Sequence, residues 1–194
     1  MPDPDRAAVA LVRSVLTARG ARALVLLDGP SGSGKTTLAA RLRAVTGIAV
    51  VHLDDLYPGW LGLEAAGRLV HDGLLVPRAT GRRPSLRRWD WSAGRAGRPL
   101  AVPAGPLLVE GSGVLTGANR RLADAAIWLE LPPDERRRRA LARDGAAYEP
   151  WWEVWAEQEA RFAARERPRR LADLVLEPRP HPPKAQGSPG TVEA

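Results

Sequence analysis

Residues 23–36 read ALVLLDGPSGSGKT. The first five are apolar and too few for a helix, so they predict a buried strand. The eight that close the stretch, from Gly29 to Thr36, match G-x-x-x-x-G-K-[ST] at each fixed position. Helical spacing follows over Thr36–Thr46, with Leu38 and Leu42 four apart. Strand, glycine turn and helix in register form the context in which this motif wraps a phosphate. Successive backbone N–H groups converge on the anion at the positive end of the helix dipole. The reading predicts a nucleotide cradle of Gly29, Ser31, Gly32, Ser33, Gly34, Lys35, Thr36 and Thr37. Lys35 reaches the β- and γ-phosphates, and the Thr36 hydroxyl ligates Mg²⁺. A ligand-free Gly/Ser turn is the alternative, and strand, loop, helix and a lysine rare in this chain, all in register, argue against it.

Outward from this loop the chain alternates. Residues 7–19 read as an amphipathic helix ending at Gly20. Further short apolar runs at 48–53, 106–109, 125–131 and 171–176 predict strands, making about five with that at 23–27. Strands alternating with helices imply βαβ units, hence a parallel sheet buried on both faces. The expected fold is α/β, in three layers, as one domain over residues 1–176. Residues 77–105 are rich in Arg, Gly and Pro and predict a long functional loop or a small excursion beside the sheet. Residues 177–194, EPRPHPPKAQGSPGTVEA, lack apolar periodicity and predict a Pro-rich disordered tail.

Composition narrows the class. The chain has 194 residues, 44% of them hydrophobic and 26% charged, as expected of one globular domain. It has no cysteine, which excludes disulfide scaffolds, Cys-type metal sites and thiol nucleophiles. No apolar run approaches the ~18 residues of a membrane span, and the start lacks the pattern of a secretory leader. A cytoplasmic protein without membrane partners is expected, while its oligomeric state is not encoded legibly. The formal net charge of +7 raises nucleic acid as a partner. The cations are almost all arginine, Lys35 and Lys184 being the two lysines. That bias, with abundant Ala, Gly and Pro, weakens the case for nucleic acid and points instead to a small-molecule partner.

The carboxyl end of the second strand carries Asp54-Asp55-Leu56-Tyr57. In a parallel α/β sheet ligands bind at that end. A carboxylate there can accept the proton of an attacking hydroxyl or hold a Mg²⁺-bound water; capping of the next turn is the bland alternative. Either Asp54 or Asp55 could be that base, Asp54 being favoured. Arg136, Arg139 and Arg143 recur at helical spacing and can share one face, where guanidinium forks neutralise phosphoryl charge; a solvated basic helix is the other reading. The run Arg165–Arg170 reads as surface. Trp89 and Trp91 flank Asp90, so an indole could stack on a flat base while Asp90 bonds a hydroxyl, or the loop simply packs on the sheet. Trp151, Trp155 and Phe162 read as a core stripe. His52 and His71 lack metal-spaced partners.

With no N-K-x-D and no L-S-G-G-Q segment, GTPase and transporter-type ATPase readings fall away, and the length suits a small kinase. The order of segments resembles the uridine kinase-like branch of P-loop kinases over residues 23–177. Asp54 and Tyr57 fall on its D-x-F-Y segment, Arg88-Trp89-Asp90-Trp91 is similar to its Y-D-F segment, and Leu107–Gly111 resembles V-L-E-G. Asp134–Asp144 is similar to its R-x-x-R-x-x-x-R-D lid, and Ala172–Leu176 to its closing strand. The resemblance implies an ATP- and Mg²⁺-dependent phosphotransferase whose acceptor is a small-molecule hydroxyl, with a pyrimidine nucleoside as first choice. It implies Asp54 as catalytic base, with Lys35, Arg139 and Arg143 serving phosphoryl transfer from a lid at about 132–150. Glu110 joins Thr36 at Mg²⁺, and Tyr57, Trp89, Asp90 and Arg136 face the substrate. Pro58–Leu63 replaces the family's H-P-D-A-F-D segment, and Ser92–Arg95 lacks its histidine.

Overall fold

The computed structural model describes residues 4–177, so the tail expected at 177–194 lies, save Glu177, outside them. The chain opens with α1 (Pro4–Arg19) and enters β1 (Leu24–Asp28), all five residues of which are buried. The glycine loop leads into α2 (Lys35–Thr46), β2 (Ala49–His52), a 3₁₀ turn over Leu53–Asp55 and α3 (Leu63–Val70). A π-helical turn, His71–Leu75, continues into α4 (Val76–Ala79). A hairpin of β3 (Leu86–Asp90) and β4 (Arg95–Leu100) precedes β5 (Leu107–Glu110), α5 (Gly117–Arg120) and β6 (Ala125–Leu129). The chain ends in α6 (Pro133–Asp144), α7 (Trp152–Glu166), α8 (Pro168–Leu171) and β7 (Leu174–Leu176).

Five strands form one parallel sheet in the order β2-β5-β1-β6-β7. Side chains alternate across it, as a strand requires. Leu24 and Leu26 join a core with α3 and α7, whereas Val25 and Leu27 join a second with α1 and α2. Both faces are therefore apolar, which is why β1 reads as an unbroken hydrophobic run instead of an alternating one. On α1, Ala8, Val12 and Val15 line the inner face; on α2, Leu38, Ala39 and Leu42 do. The sheet is the expected three-layer α/β arrangement.

Three local expectations are refined or changed. Of the two readings for 77–105 the small excursion holds and the long loop does not: much of the segment is the antiparallel hairpin β3–β4, closed by Asp90 Oδ1, which accepts from the Ser92 and Ala93 N–H groups. The strands read Leu-Arg-Arg-Trp-Asp and Arg-Ala-Gly-Arg-Pro-Leu, so no apolar alternation marks them. The last strand is shorter than 171–176, because Pro168 starts a helical turn before it. On α7 the buried stripe is Trp152, Trp155, Glu159 and Phe162, while Trp151 sits a turn earlier and stays 38% exposed.

Candidate active site

The carboxyl ends of β1, β2 and β5 lie side by side, and each delivers one part of a cleft of about 460 Å³. From β1 comes the glycine loop. Gly34 is the N-cap of α2 at φ 100°, a left-handed conformation that glycine adopts without a Cβ clash. At Gly32, φ +79°, a Cβ would fall 2.2 Å from the Arg136 carbonyl oxygen, so the absence of a side chain lets the lid helix rest on the loop. Ser31, Gly32, Gly34, Lys35, Thr36 and Thr37 line the cleft. Ser33 is buried within the turn, its N–H donating to the Pro30 carbonyl at 3.1 Å, and Gly29 packs behind it against Leu129. Lys35 Nζ donates to Pro30 O at 3.1 Å and to Ser112 Oγ at 3.2 Å.

From β5 comes Glu110, buried and in register with Leu27 of β1 and His52 of β2. Thr36 Oγ1 donates to Glu110 Oε1 at 3.0 Å, and His52 Nδ1 lies 2.6 Å from the same oxygen. Burial pushes the Glu110 carboxyl up, but the His52 hydrogen bond and the Lys35 charge outweigh it and hold its pKa below the usual value. The same bond raises the His52 pKa. Hard oxygen donors with room for water suit Mg²⁺, which takes one or two protein oxygens and completes its shell with water and phosphate. Thr36 and Glu110 fit that requirement. Among the described residues no group of three or more His, Cys, Asp or Glu is placed to hold a metal.

The turn after β2 supplies Asp54, which lines the cleft opposite Lys35's loop. Its pKa is raised, first by burial among the walls of the cleft and then by the Glu110 charge; Lys35, Arg143 and His52 act against this. Asp55 points the other way and pairs with Arg88 on the hairpin. Tyr57 is buried along the cleft wall and donates to the Ser112 carbonyl at 2.9 Å.

The lid arginines part company. Arg143 lines the cleft beside Asp144, with which it forms an ion pair at 2.6 Å. Arg139 instead pairs with Glu135 one turn back and lies outside the cleft lining. Arg136 is nearly buried at the lid base, bonded to Ser31 O and Glu159 and lying over the Trp152 ring at 5.8 Å. Trp89 and Asp90 do not line the cleft either: Asp90 is held by the hairpin turn, and Trp91, just beyond the strand, reaches the cleft with its Nε1 3.4 Å from Asp54 O.

Sequence reasoning passed over several cleft residues. Trp60 stacks on Tyr148 (centroids 5.4 Å apart) and on Trp151 (5.6 Å), and leans on Trp91 (4.9 Å), so one indole ties the turn after β2 to lid and hairpin. Trp155, read as core, is both buried and part of the cleft wall. Ser112 follows the Glu110-Gly111 pair directly; its place next to the strand end was the available signal. His52, passed over for want of a metal-spaced partner, finds its partner across the sheet.

The architecture is shared with solved structures of low sequence identity. It is similar to a structure described as a possible uridine kinase from Bacillus stearothermophilus, with 19% identity, a TM-score of 0.60, and coverage of 88% of this chain and 98% of that one. It is also similar to shikimate kinase from Acinetobacter baumannii, with 16% identity, a TM-score of 0.52, and coverage of 84% and 87% respectively. A search of curated proteins finds no match. Among the described residues no helix is long and apolar enough to cross a membrane. The stretch that holds the glycine loop, Asp54, Glu110 and the lid, residues 25–164, matches the AAA domain model, and the chain belongs to that family of nucleotide-binding domains.

Proposed function

We propose that the protein transfers the γ-phosphoryl group of Mg·ATP to a hydroxyl of a small molecule. The observation that carries this reading is the meeting in one cleft of Lys35 and Thr36 from the end of β1, Asp54 from the end of β2 and Glu110 from the end of β5. Phosphoryl transfer demands positioning and charge neutralisation more than covalent chemistry. Lys35 and Arg143 supply cations for the transferring group. Thr36 and Glu110 would hold Mg²⁺, which would neutralise phosphate charge. Asp54 accepts the acceptor proton; its raised pKa brings its basicity nearer the working pH, where a general base is most effective.

The acceptor we place first is a pyrimidine nucleoside, supported by the aromatic wall of Tyr57, Trp91, Tyr148 and Trp155, whose faces suit a flat ring. A sugar, a vitamin precursor or an antibiotic hydroxyl is the alternative within the same chemistry. The test is an ADP-release screen with Mg·ATP against nucleosides, sugars and cofactor precursors. Turnover on one class, lost in Lys35→Ala, is the expected result. A folded Lys35→Ala protein that turns over normally would sink the assignment.

A further inference from the structure

Glu159 stands where a core residue belongs. It follows Trp152 and Trp155 on the buried stripe of α7 and is itself buried, yet it carries a carboxyl. Four donors converge on it. Its Oε1 accepts from Ser31 N–H at 2.6 Å, from Ser112 Oγ at 3.0 Å and from Trp155 Nε1 at 3.0 Å. Its Oε2 accepts from Arg136 Nη1 at 3.2 Å. The carboxyl does not line the cleft; it sits behind the glycine loop.

Its neighbours bear on Lys35. The peptide joining Pro30 to Ser31 is planar and trans, so its N–H and C=O point in opposite directions. Fixing the N–H on Glu159 therefore aims the Pro30 carbonyl the other way, where it accepts from Lys35 Nζ at 3.1 Å and from Ser33 N–H at 3.1 Å. The second partner of Lys35 is Ser112 Oγ, whose one hydroxyl proton has two acceptors at 3.0 Å, the same Glu159 oxygen and the Gly29 carbonyl. Both protein groups that receive the Lys35 ammonium thus contact one buried carboxylate. The other oxygen ties down Arg136, whose backbone covers Gly32.

We infer that Glu159 is a positioning residue for the phosphate site: through the Pro30–Ser31 peptide and the Ser112 hydroxyl it sets where Lys35 meets the nucleotide, and through Arg136 it locks the lid base to the same loop. The inference rests on the reading of the loop as a nucleotide site and requires no knowledge of the acceptor. A carboxylate suits the task because it accepts from every side, and hydrogen bonds to a charged group are the strong ones. An amide in its place brings an N–H pair to face donors, leaving at least one unmatched.

The experiment is a double-mutant cycle on the full chain, read by the affinity for a fluorescent ATP analogue and by thermal unfolding. Glu159→Gln is expected to weaken the analogue about tenfold, the size of one charge-assisted hydrogen bond. In a Lys35→Ala background the same change should cost markedly less, because only the route through Arg136 remains. A purely structural role predicts lowered unfolding temperature with equal losses of affinity in both backgrounds, and that outcome overturns the inference. Wild-type affinity in folded Glu159→Gln, with affinity lost in Lys35→Ala, also overturns it and leaves the kinase reading intact. If Lys35→Ala binds as the wild type does, both readings fall. Should Glu159→Gln fail to fold, Ser112→Ala removes one leg of the linkage: a smaller loss, about threefold and again absent in Lys35→Ala, sustains the inference, and additive losses overturn it.

Discussion

At the scale of the residue, Asp54 and Asp28 are two carboxyls whose pKa values burial, as the largest cause, pushes up. Asp54 has burial and the Glu110 charge pushing its pKa up, and it faces the cleft. Asp54→Asn keeps the size of the side chain and could cap the turn equally well, but it cannot take a proton. It should lower kcat by roughly 10²–10⁴ on the best acceptor, with unfolding temperature unchanged; near-normal kcat would shift the role to Asp55. Asp28 is fully buried at the end of β1 and accepts from the N–H groups of Gly29, Gly113 and Leu115 at 2.6, 3.1 and 2.7 Å. Burial outweighs these bonds and the Lys35 charge, and its pKa is pushed up from 3.8 to about 7. Between those two values the folded protein holds a proton that the unfolded chain has lost. This residue's contribution to stability therefore falls as pH rises from about 4 to about 7. Denaturant titrations of wild type and Asp28→Asn across that range should differ by an amount that changes with pH; a constant offset would show that Asp28 does not titrate there.

At the scale of the element, the lid helix α6 separates arginines that look equivalent in sequence. Arg143 lines the cleft beside Asp144, whereas Arg139 is held by Glu135 outside it. Contacts made to charge that spreads in the transition state affect kcat more than binding. Arg143→Ala should lower kcat by about 10²-fold, the loss expected of one donor to a developing charge. Arg139→Ala should change it only a few-fold, in line with a part-buried i, i+4 pair outside the cleft. Steady-state rates of the two variants decide this, and equal losses would mean that Arg139 leaves Glu135 when the lid closes. The spacing over 136–143 marks the helix and its basic face, because that depends on local periodicity. Which arginine turns inward depends on Glu135 and on the angle at which α6 lies across Gly32, neither of which a spacing contains.

At the scale of the whole molecule, the sheet divides the interior into two apolar layers that share strands but not side chains. Leu42 of α2 and Leu75, at the end of the π-helical turn, are fully buried on opposite sides. Each Leu→Ala change should cost about 2–5 kcal/mol of unfolding free energy, and the pair should add to within about 0.5 kcal/mol; marked non-additivity in chemical denaturation would show that the layers are coupled. The parallel sheet and the loop were legible in the sequence because both rest on local rules. A five-residue apolar run is too short for a helix and reads as a strand buried on both faces, and a glycine turn between strand and helix is the context in which this motif wraps a phosphate. The place of Asp54 beside the cleft was legible for the same reason, since it follows a strand on the side where such sheets bind ligands. The hairpin was not, because its arginines and prolines leave no alternation to read. Nor were the bond between His52 and Glu110, the stack on Trp60 and the donors around Glu159. The His52–Glu110 bond spans 58 positions and depends on the register of β2 against β5. The Ser31–Glu159 and Ser112–Glu159 bonds span 128 and 47 and, like the Trp60–Tyr148 stack, form only when α7 and the lid pack against the strand ends.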